Sequence, residues 1–143
     1  YFDDGHRKCG FCADPEEAVR LHNICPVCGK KMTMGVNHRI HELADRTKES
    51  GHRKDYFESL VPLPEIISEV VKVSPASKKV TVIYEKMLGE FGSEFDILRS
   101  VPVSEIAESA SAEIAEGIHR LREGRVTRIP GYDGEFGKIK VLQ

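Results

Sequence analysis

The chain has 143 residues and a formal net charge of −2 at pH 7, because 21 lysines and arginines are nearly balanced by 23 aspartates and glutamates. This balance excludes a uniformly basic nucleic-acid binder, so any contact with phosphate must rely on local clusters of cations. No apolar run approaches the roughly 20 residues that cross a bilayer, and no segment resembles a secretion signal, which predicts a soluble, cytoplasmic protein. The sequence opens without methionine in a charged segment, and we expect it to be a piece of a longer protein.

All four cysteines of the chain lie near its start in two CxxC pairs, Cys9 with Cys12 and Cys25 with Cys28. Each pair can form a tight turn whose backbone N–H groups face the thiolates, and four thiolates complete a tetrahedron without an open position. The pattern therefore predicts a structural zinc ion. Two disulfides are disfavoured by the cytosolic composition. Iron in a rubredoxin-like site remains the alternative, because ligand type alone does not separate the two metals.

The segment around the cysteines predicts a compact zinc module over residues 1–46. Asp14 followed by Pro15 has the pattern of a helix start, and a short helix is expected from about Pro15 to Leu21. A short strand is expected over residues 31–34. One apolar face then predicts a second helix that ends near Arg46. The members of this face are Val36, Ile40, Leu43 and Ala44. Residues 47–61 are polar and nonperiodic at their start, which predicts a linker or loop.

Residues 62–143 predict a small helical domain that ends in a β-hairpin. Apolar residues at helical spacing follow Pro62, and a second helix is expected to begin with Ser74 as its N-cap and Pro75 in its first turn. Gly92 ends that helix, and Ser93 caps a short third one.

A longer helical segment is expected to open at Ser104, and a break near residues 109–111 is compatible with its pattern. Beyond Gly124 the periodicity changes to alternation over residues 126–129 and 138–142, separated by a glycine-rich turn. The predicted fold class is therefore mainly α with small β: a four-cysteine zinc module, then a helical domain with a terminal hairpin.

Local clusters of polar and charged residues mark candidate contacts with DNA. Lysines in a first helical turn, arginines around a helix end and lysines on one face of a strand could each meet phosphate, and an aromatic side chain in the hairpin turn could stack on a base. The ordinary alternative is that these cations are solvated or offset a helix dipole. The candidates are Ser77, Lys78, Lys79, Arg120, Arg122, Arg125, Arg128, Tyr132, Lys138 and Lys140. The turn also carries Phe136, a second aromatic residue.

The sequence contains no recognisable catalytic motif. The His41-Glu42 pair is not followed by the second histidine of a zinc-protease signature, and neither a Walker loop nor a nucleophile elbow is present. The six histidines are expected to be mainly surface or packing residues. No catalytic residue is predicted within this chain.

Several motifs in order, including GHRKCGFC, CPVCGKKMTMGVNHRIHELADR, VPLPEII, FGSEFDIL, IAEGIHRLREG and PGYDGEFG, resemble the C-terminal portion of endonuclease Q and its relatives. In that family an N-terminal polymerase-and-histidinol-phosphatase (PHP) domain cleaves DNA on the 5′ side of deaminated bases and abasic sites. The resemblance implies that the PHP domain would precede Tyr1 and that this fragment is inactive alone.

The resemblance thus implies a DNA repair role in which the fragment binds damaged duplex DNA and presents the lesion to the PHP domain in cis. The alternatives are a zinc-stabilised protein-interaction module and, less favoured, the rubredoxin-like iron protein.

Overall fold

The computed structural model describes residues 1–46 and 57–142. The chain divides into two compact units. The first comprises Tyr1–Tyr56 and Arg128–Lys138, and the second comprises Phe57–Thr127 and Ile139–Gln143. Most of the predicted linker, residues 47–56, lies outside the described residues.

The first unit is built around a small antiparallel hairpin and two helices. Strands β1 (Asp4–His6) and β2 (Phe11–Ala13) pair with Gly5 opposite Cys12, and a 3₁₀ helix over Arg7–Cys9 joins them. Helix α1 spans Pro15–Arg20 and helix α2 spans Val36–Leu43. In place of the strand expected over residues 31–34, the structure has two isolated bridges, from Lys31 and from Thr33.

Helix α1 begins as its sequence predicts, whereas α2 buries a different face. The Asp14 carboxylate accepts a hydrogen bond from the Glu17 N–H, and Pro15 occupies the first turn. The predicted apolar face of α2 is exposed: Val36, Ile40 and Leu43 are 59%, 53% and 65% exposed.

The residue that α2 buries instead is His38. Its Nδ1 lies 2.6 Å from Oδ2 of Asp4, a fully buried carboxylate that also accepts the Gly35 N–H. A buried carboxylate must be hydrogen-bonded, and this requirement outweighs the apolar periodicity of the helix.

The glycine-rich turn of the hairpin belongs to the first unit, although the sequence analysis assigned the whole hairpin to the helical domain. Strands β3 (Thr127–Ile129) and β4 (Lys138–Lys140) flank this turn. The Gly131 carbonyl accepts hydrogen bonds from the N–H groups of Phe2 and Asp3. These bonds join segments far apart in sequence, and local patterning carries no signal for them.

The second unit is a bundle of five helices. They are α3 (Leu63–Val71), α4 (Lys78–Phe91), α5 (Glu94–Arg99), α6 (Val103–Ser109) and α7 (Ala112–Arg122). Their inward faces supply a continuous apolar core, which includes Leu63, Ile66, Ile67, Met87, Ile97, Ile106 and Ile118, and Val141 closes it. The backbone N–H groups of Val141 and Leu142 donate to the Glu69 carboxylate.

Side-chain caps define where these helices begin. Ser93 and Asp96 form a capping box at the start of α5, and the Ser111 hydroxyl accepts the Ile114 N–H at the start of α7. The last helical segment is therefore divided into α6 and α7, at the break that its pattern allows. Helix α4 begins later than predicted, because its N-cap is Ser77 and not Ser74.

The fold class predicted from the sequence, mainly α with small β, is confirmed. Where four cysteines were predicted to form the metal module, the structure has a cluster of three cysteines and one histidine. Within residues 1–46 and 57–142, every helix is too short or too polar to cross a membrane.

Candidate metal centre and nucleic-acid interface

Three of the four cysteines come together with a histidine in the first unit. The ligand atoms of His6, Cys9, Cys25 and Cys28 all lie within 4.8 Å of one another. His6 is the last residue of β1, Cys9 ends the 3₁₀ helix, and the other two cysteines bracket the turn after α1. Two segments distant in sequence thus supply two donors each.

The spacing of these donors fits a tetrahedral metal ion. His6 Nδ1 lies 3.1 Å from Cys9 Sγ and 3.4 Å from Cys28 Sγ. Zinc–sulfur and zinc–nitrogen bonds of about 2.3 and 2.0 Å place such a pair of donors about 3.5 Å apart. One nitrogen and three thiolates form a closed donor set of the kind found in structural zinc sites. The four residues are therefore positioned to hold a metal ion.

The electrostatics of the turn favour a thiolate at Cys25. Burial acts to raise the pKa of this thiol, but hydrogen bonds from the backbone N–H groups of Val27 and Cys28, together with those from the Cys28 and Cys9 side chains, outweigh burial, and the net pKa is lowered. The expected turn with N–H groups facing sulfur is thus present at the second pair. Without a metal, burial and hydrogen bonds with Cys28 and Cys25 raise the pKa of Cys9 to about 11. A metal ion must displace that proton, so metal binding is coupled to pH.

Cys12 lies outside this group of donors. It is the central residue of β2, where successive side chains point to opposite faces. Burial and the negative charges of Asp3, Asp4 and Glu17 raise its pKa.

His6 takes part in the group instead, although the sequence pattern predicts a surface or packing histidine. The signal that could have identified it is the spacing His6-Arg-Lys-Cys9, which repeats the two-residue gap of a CxxC pair.

The apolar core of the first unit is small. Its buried apolar residues are Ala13, Ala18, Cys25 and Met32, with Phe11 and Leu21 packed against them. Two of these are alanines, which bury little apolar area. A unit with so small a core generally requires a metal or disulfides for stability.

The lysines predicted at the start of α4 are exposed, but the predicted serine is not free. The Ser77 hydroxyl accepts the Val80 N–H, so it serves as a helix cap. Lys78 and Lys79 occupy the first two positions of this 14-residue helix and face solvent. Lys79 also lines a cleft of about 510 Å³ together with Lys86.

Among the predicted arginines of the second unit, Arg122 has a structural position. Its guanidinium donates to the carbonyl oxygens of Ile97, Leu98 and Val101 at 2.7 to 3.0 Å, which satisfies the C-terminal end of α5. Burial lowers its pKa. Arg120 is half-buried, and Arg125 is exposed and paired with Glu123.

Around the hairpin, the predicted cations are exposed and the predicted aromatic residue is packed. Arg128, Lys138 and Lys140 all face solvent. Tyr132 packs so closely on Gly5 that a Cβ atom there would collide with the tyrosine ring. Its half-buried ring packs against β1.

Sequence comparison identifies relatives for nearly the whole chain. A family model described as the MJ0043 C-terminal domain matches residues 62–125. The uncharacterized protein MJ0043 of Methanocaldococcus jannaschii is 30% identical over 132 residues, 92% of this chain and 17% of the relative. The uncharacterized protein YqxK of Bacillus subtilis is 28% identical over 92% of this chain and 31% of the relative. The chain thus spans less than a third of either protein.

Two solved structures share the fold. One is the lesion-specific endonuclease PfuEndoQ from Pyrococcus furiosus, with a TM-score of 0.83 and 33% identity over 100% of this chain and 35% of that one. The other is endonuclease Q in complex with a 27-mer duplex substrate that has an abasic lesion at the active site, with a TM-score of 0.75 and 33% identity over 98% of this chain and 35% of that one. The resemblance of this chain to the C-terminal part of endonuclease Q is thereby confirmed.

Proposed function

We propose that this chain is the DNA-binding and lesion-presenting part of a DNA repair endonuclease. In this proposal a PHP domain in cis cleaves next to a deaminated base or abasic site, and the present chain binds the damaged duplex. The observation that carries the proposal is the similarity over 98% of the chain to an endonuclease bound to a duplex with an abasic lesion.

The metal in this proposal is a structural zinc ion held by His6, Cys9, Cys25 and Cys28. Three thiolates and one imidazole suit zinc, and they leave no position for water or substrate. A rubredoxin-like iron site is disfavoured, because it would need a fourth cysteine sulfur where the structure has His6 Nδ1. When bound, the ion would join β1 and the 3₁₀ helix to the turn after α1.

Exposed cations supply the phosphate contacts in this proposal. In the second unit these are Lys78 and Lys79 at the start of α4, with Arg125 and Lys140, and in the first unit Arg128 and Lys138. Lysines at a helix N-terminus oppose the helix dipole, so they are costly unless an anion binds there. The cost is consistent with selection for a phosphate contact.

The experiment is an anisotropy titration of a labelled abasic duplex with the wild-type chain and with Lys78→Glu/Lys79→Glu at several salt concentrations. Loss of two phosphate contacts should weaken binding by on the order of tenfold and reduce the slope of log K against log salt by about 2. Glutamates in the first turn favour the helix dipole, so the variant should melt no lower than the wild type.

The matched control is Lys30→Glu/Lys31→Glu, which makes the same change of net charge at two exposed lysines of the first unit. A loss of affinity equal to that of the α4 variant would mean that overall charge, and not contact at α4, controls binding. Failure of the wild-type chain to bind any duplex at low salt would refute the proposed function.

One observation favours a second candidate, the protein-interaction module. The exposed stripe of Val36, Ile40 and Leu43 on α2 is apolar and suits a protein partner. Binding through this stripe would change little with salt, whereas DNA binding would weaken steeply. Substitution of Ile40 by Glu separates the two functions, because it should leave DNA affinity unchanged.

A further inference from the structure

We propose that Phe136 is the residue that stacks on a nucleobase exposed at the lesion. This inference rests on the proposed function and assigns one residue of it. Phe136 is 92% exposed, the highest value among the large apolar side chains of the described residues. Exposure of an entire phenyl ring is unfavourable by the apolar area left in water, so a binding partner is the simplest reason for it.

The turn that carries Phe136 is held rigidly within the first unit. The backbone N–H and carbonyl groups of Tyr132 and Glu135 bond to each other across the turn at 3.1 and 2.7 Å. Asp133 accepts hydrogen bonds from the Thr33 hydroxyl at 2.5 Å and from the Arg7 N–H at 2.7 Å. These contacts fix the residues on the N-terminal side of Phe136.

Two further contacts complete the anchoring of this turn. Arg7 Nε forms an ion pair with the Glu135 carboxylate at 2.6 Å. Gly131 lies so close to Glu135 and Gly137 that a Cβ atom would come within 2.6 Å of the Glu135 carbonyl oxygen. A side chain displayed on a pre-organised turn loses little conformational entropy when it binds, because the backbone is already ordered.

Two exposed cations lie on the strands that flank the turn. A Cβ atom on Gly137 would lie 2.9 Å from the Ile129 carbonyl oxygen, so the segment after Phe136 runs beside the end of β3. Arg128 and Lys138 are the exposed neighbours of these two residues. Proteins that bind unpaired bases combine aromatic rings with cationic side chains of the same region, which contact the neighbouring phosphates.

The size of the exposed group favours a base over a protein surface. Glycines and the charged Glu135 surround Phe136 in sequence, and Phe136 is the one large apolar residue of residues 133–138. Stable protein interfaces bury about 800 Å² on each partner. One ring offers far less than this area, but it matches the face of a single base. An abasic site leaves the opposite base without a partner and available for stacking.

The ring can be tested spectroscopically because the chain has no tryptophan. The variant Phe136→Trp therefore contains a single indole, whose emission should fall when a duplex with an abasic site is added and the indole stacks on a base. The matched control is Phe95→Trp, which places the indole on α5 at a side chain that is 64% exposed. Its emission should not change.

The variant Phe136→Ala should lose about 5- to 150-fold in affinity for the abasic duplex, the range expected for one lost stacking contact. Phe95→Ala should bind as the wild type does. If the wild type binds duplex DNA but Phe136→Ala binds equally well, the stacking inference is wrong and the proposed function stands. If the wild type binds no DNA, both fail. A shift of the Phe136→Trp emission with protein concentration alone would instead assign the ring to contact with a second copy.

Discussion

Substitution of His6 and substitution of Cys12 should have opposite effects on metal binding. The two variants therefore test which residues bind the metal. The structure places His6 with Cys9, Cys25 and Cys28, and it leaves Cys12 in the middle of β2. We therefore expect His6→Ala to weaken zinc binding strongly, whereas Cys12→Ser should keep the ion. A site with four cysteines would give the reverse result.

The magnitude follows from the number of donors. Structural zinc sites of this type contribute about 10–16 kcal/mol of apparent binding free energy, so an equal share for one of four ligands is about 3 kcal/mol. His6→Ala should then bind zinc roughly 100-fold less tightly. Cys12→Ser should stay within about tenfold of the wild type, because it changes no ligand.

The assay is competition for zinc with a chromophoric chelator, followed by thermal unfolding of each variant with one equivalent of metal. The control is His22→Ala, which removes an exposed histidine of the first unit. Metal affinity that falls for Cys12→Ser and is unchanged for His6→Ala would refute the donor set derived from the structure.

Two further predictions concern hydrogen bonds in the two units. Arg122→Met should lower the free energy of unfolding by about 2–4 kcal/mol, because carbonyl groups at the end of α5 lose their donor. The DNA affinity of this variant should be unchanged. An unaltered melting curve with weaker DNA binding would instead make Arg122 a phosphate contact. Hydrogen bonds from the Thr33 hydroxyl and, to a smaller extent, from the Arg7 N–H lower the pKa of Asp133. The ionised carboxylate therefore stabilises the folded state fully at pH values above the ordinary pKa of about 4. This stabilisation is lost as the pH falls through the lowered pKa. Asp133→Asn should thus be less stable than the wild type at pH 7, by about 1 kcal/mol in urea unfolding, and the two should converge toward pH 3; a difference that is constant with pH would contradict this linkage.

Local signals in the sequence were sufficient for most elements. Helix starts are marked by Asp14 and Ser93, whose side chains accept hydrogen bonds within one turn. The end of α4 is marked by Gly92, whose φ is positive. Each interaction lies within a short stretch of sequence and can be predicted from it. The same holds for the Cys25 turn, whose N–H groups face the sulfur. The apolar stripes of the second unit were also predicted, because its core is formed by helix faces.

The sequence was misleading where an interaction joins distant segments. The face that α2 buries depends on the contact of His38 with Asp4, which lies 34 residues away in sequence. The apolar periodicity of the helix does not indicate this contact. The turn of the hairpin joins the first unit through contacts between Gly131 and Phe2. The packing of Tyr132 on Gly5 is another contact between distant segments that is not visible locally, and the stacking of Tyr132 on a base stays a prediction.

The most direct test of the account is a binding titration of the zinc-loaded chain with two duplexes of one sequence, one intact and one with a single abasic site. Lesion presentation predicts tighter binding to the abasic duplex, with affinities for both that fall linearly with log salt. Equal affinity for the two duplexes would contradict a role in lesion presentation and leave only general binding to DNA.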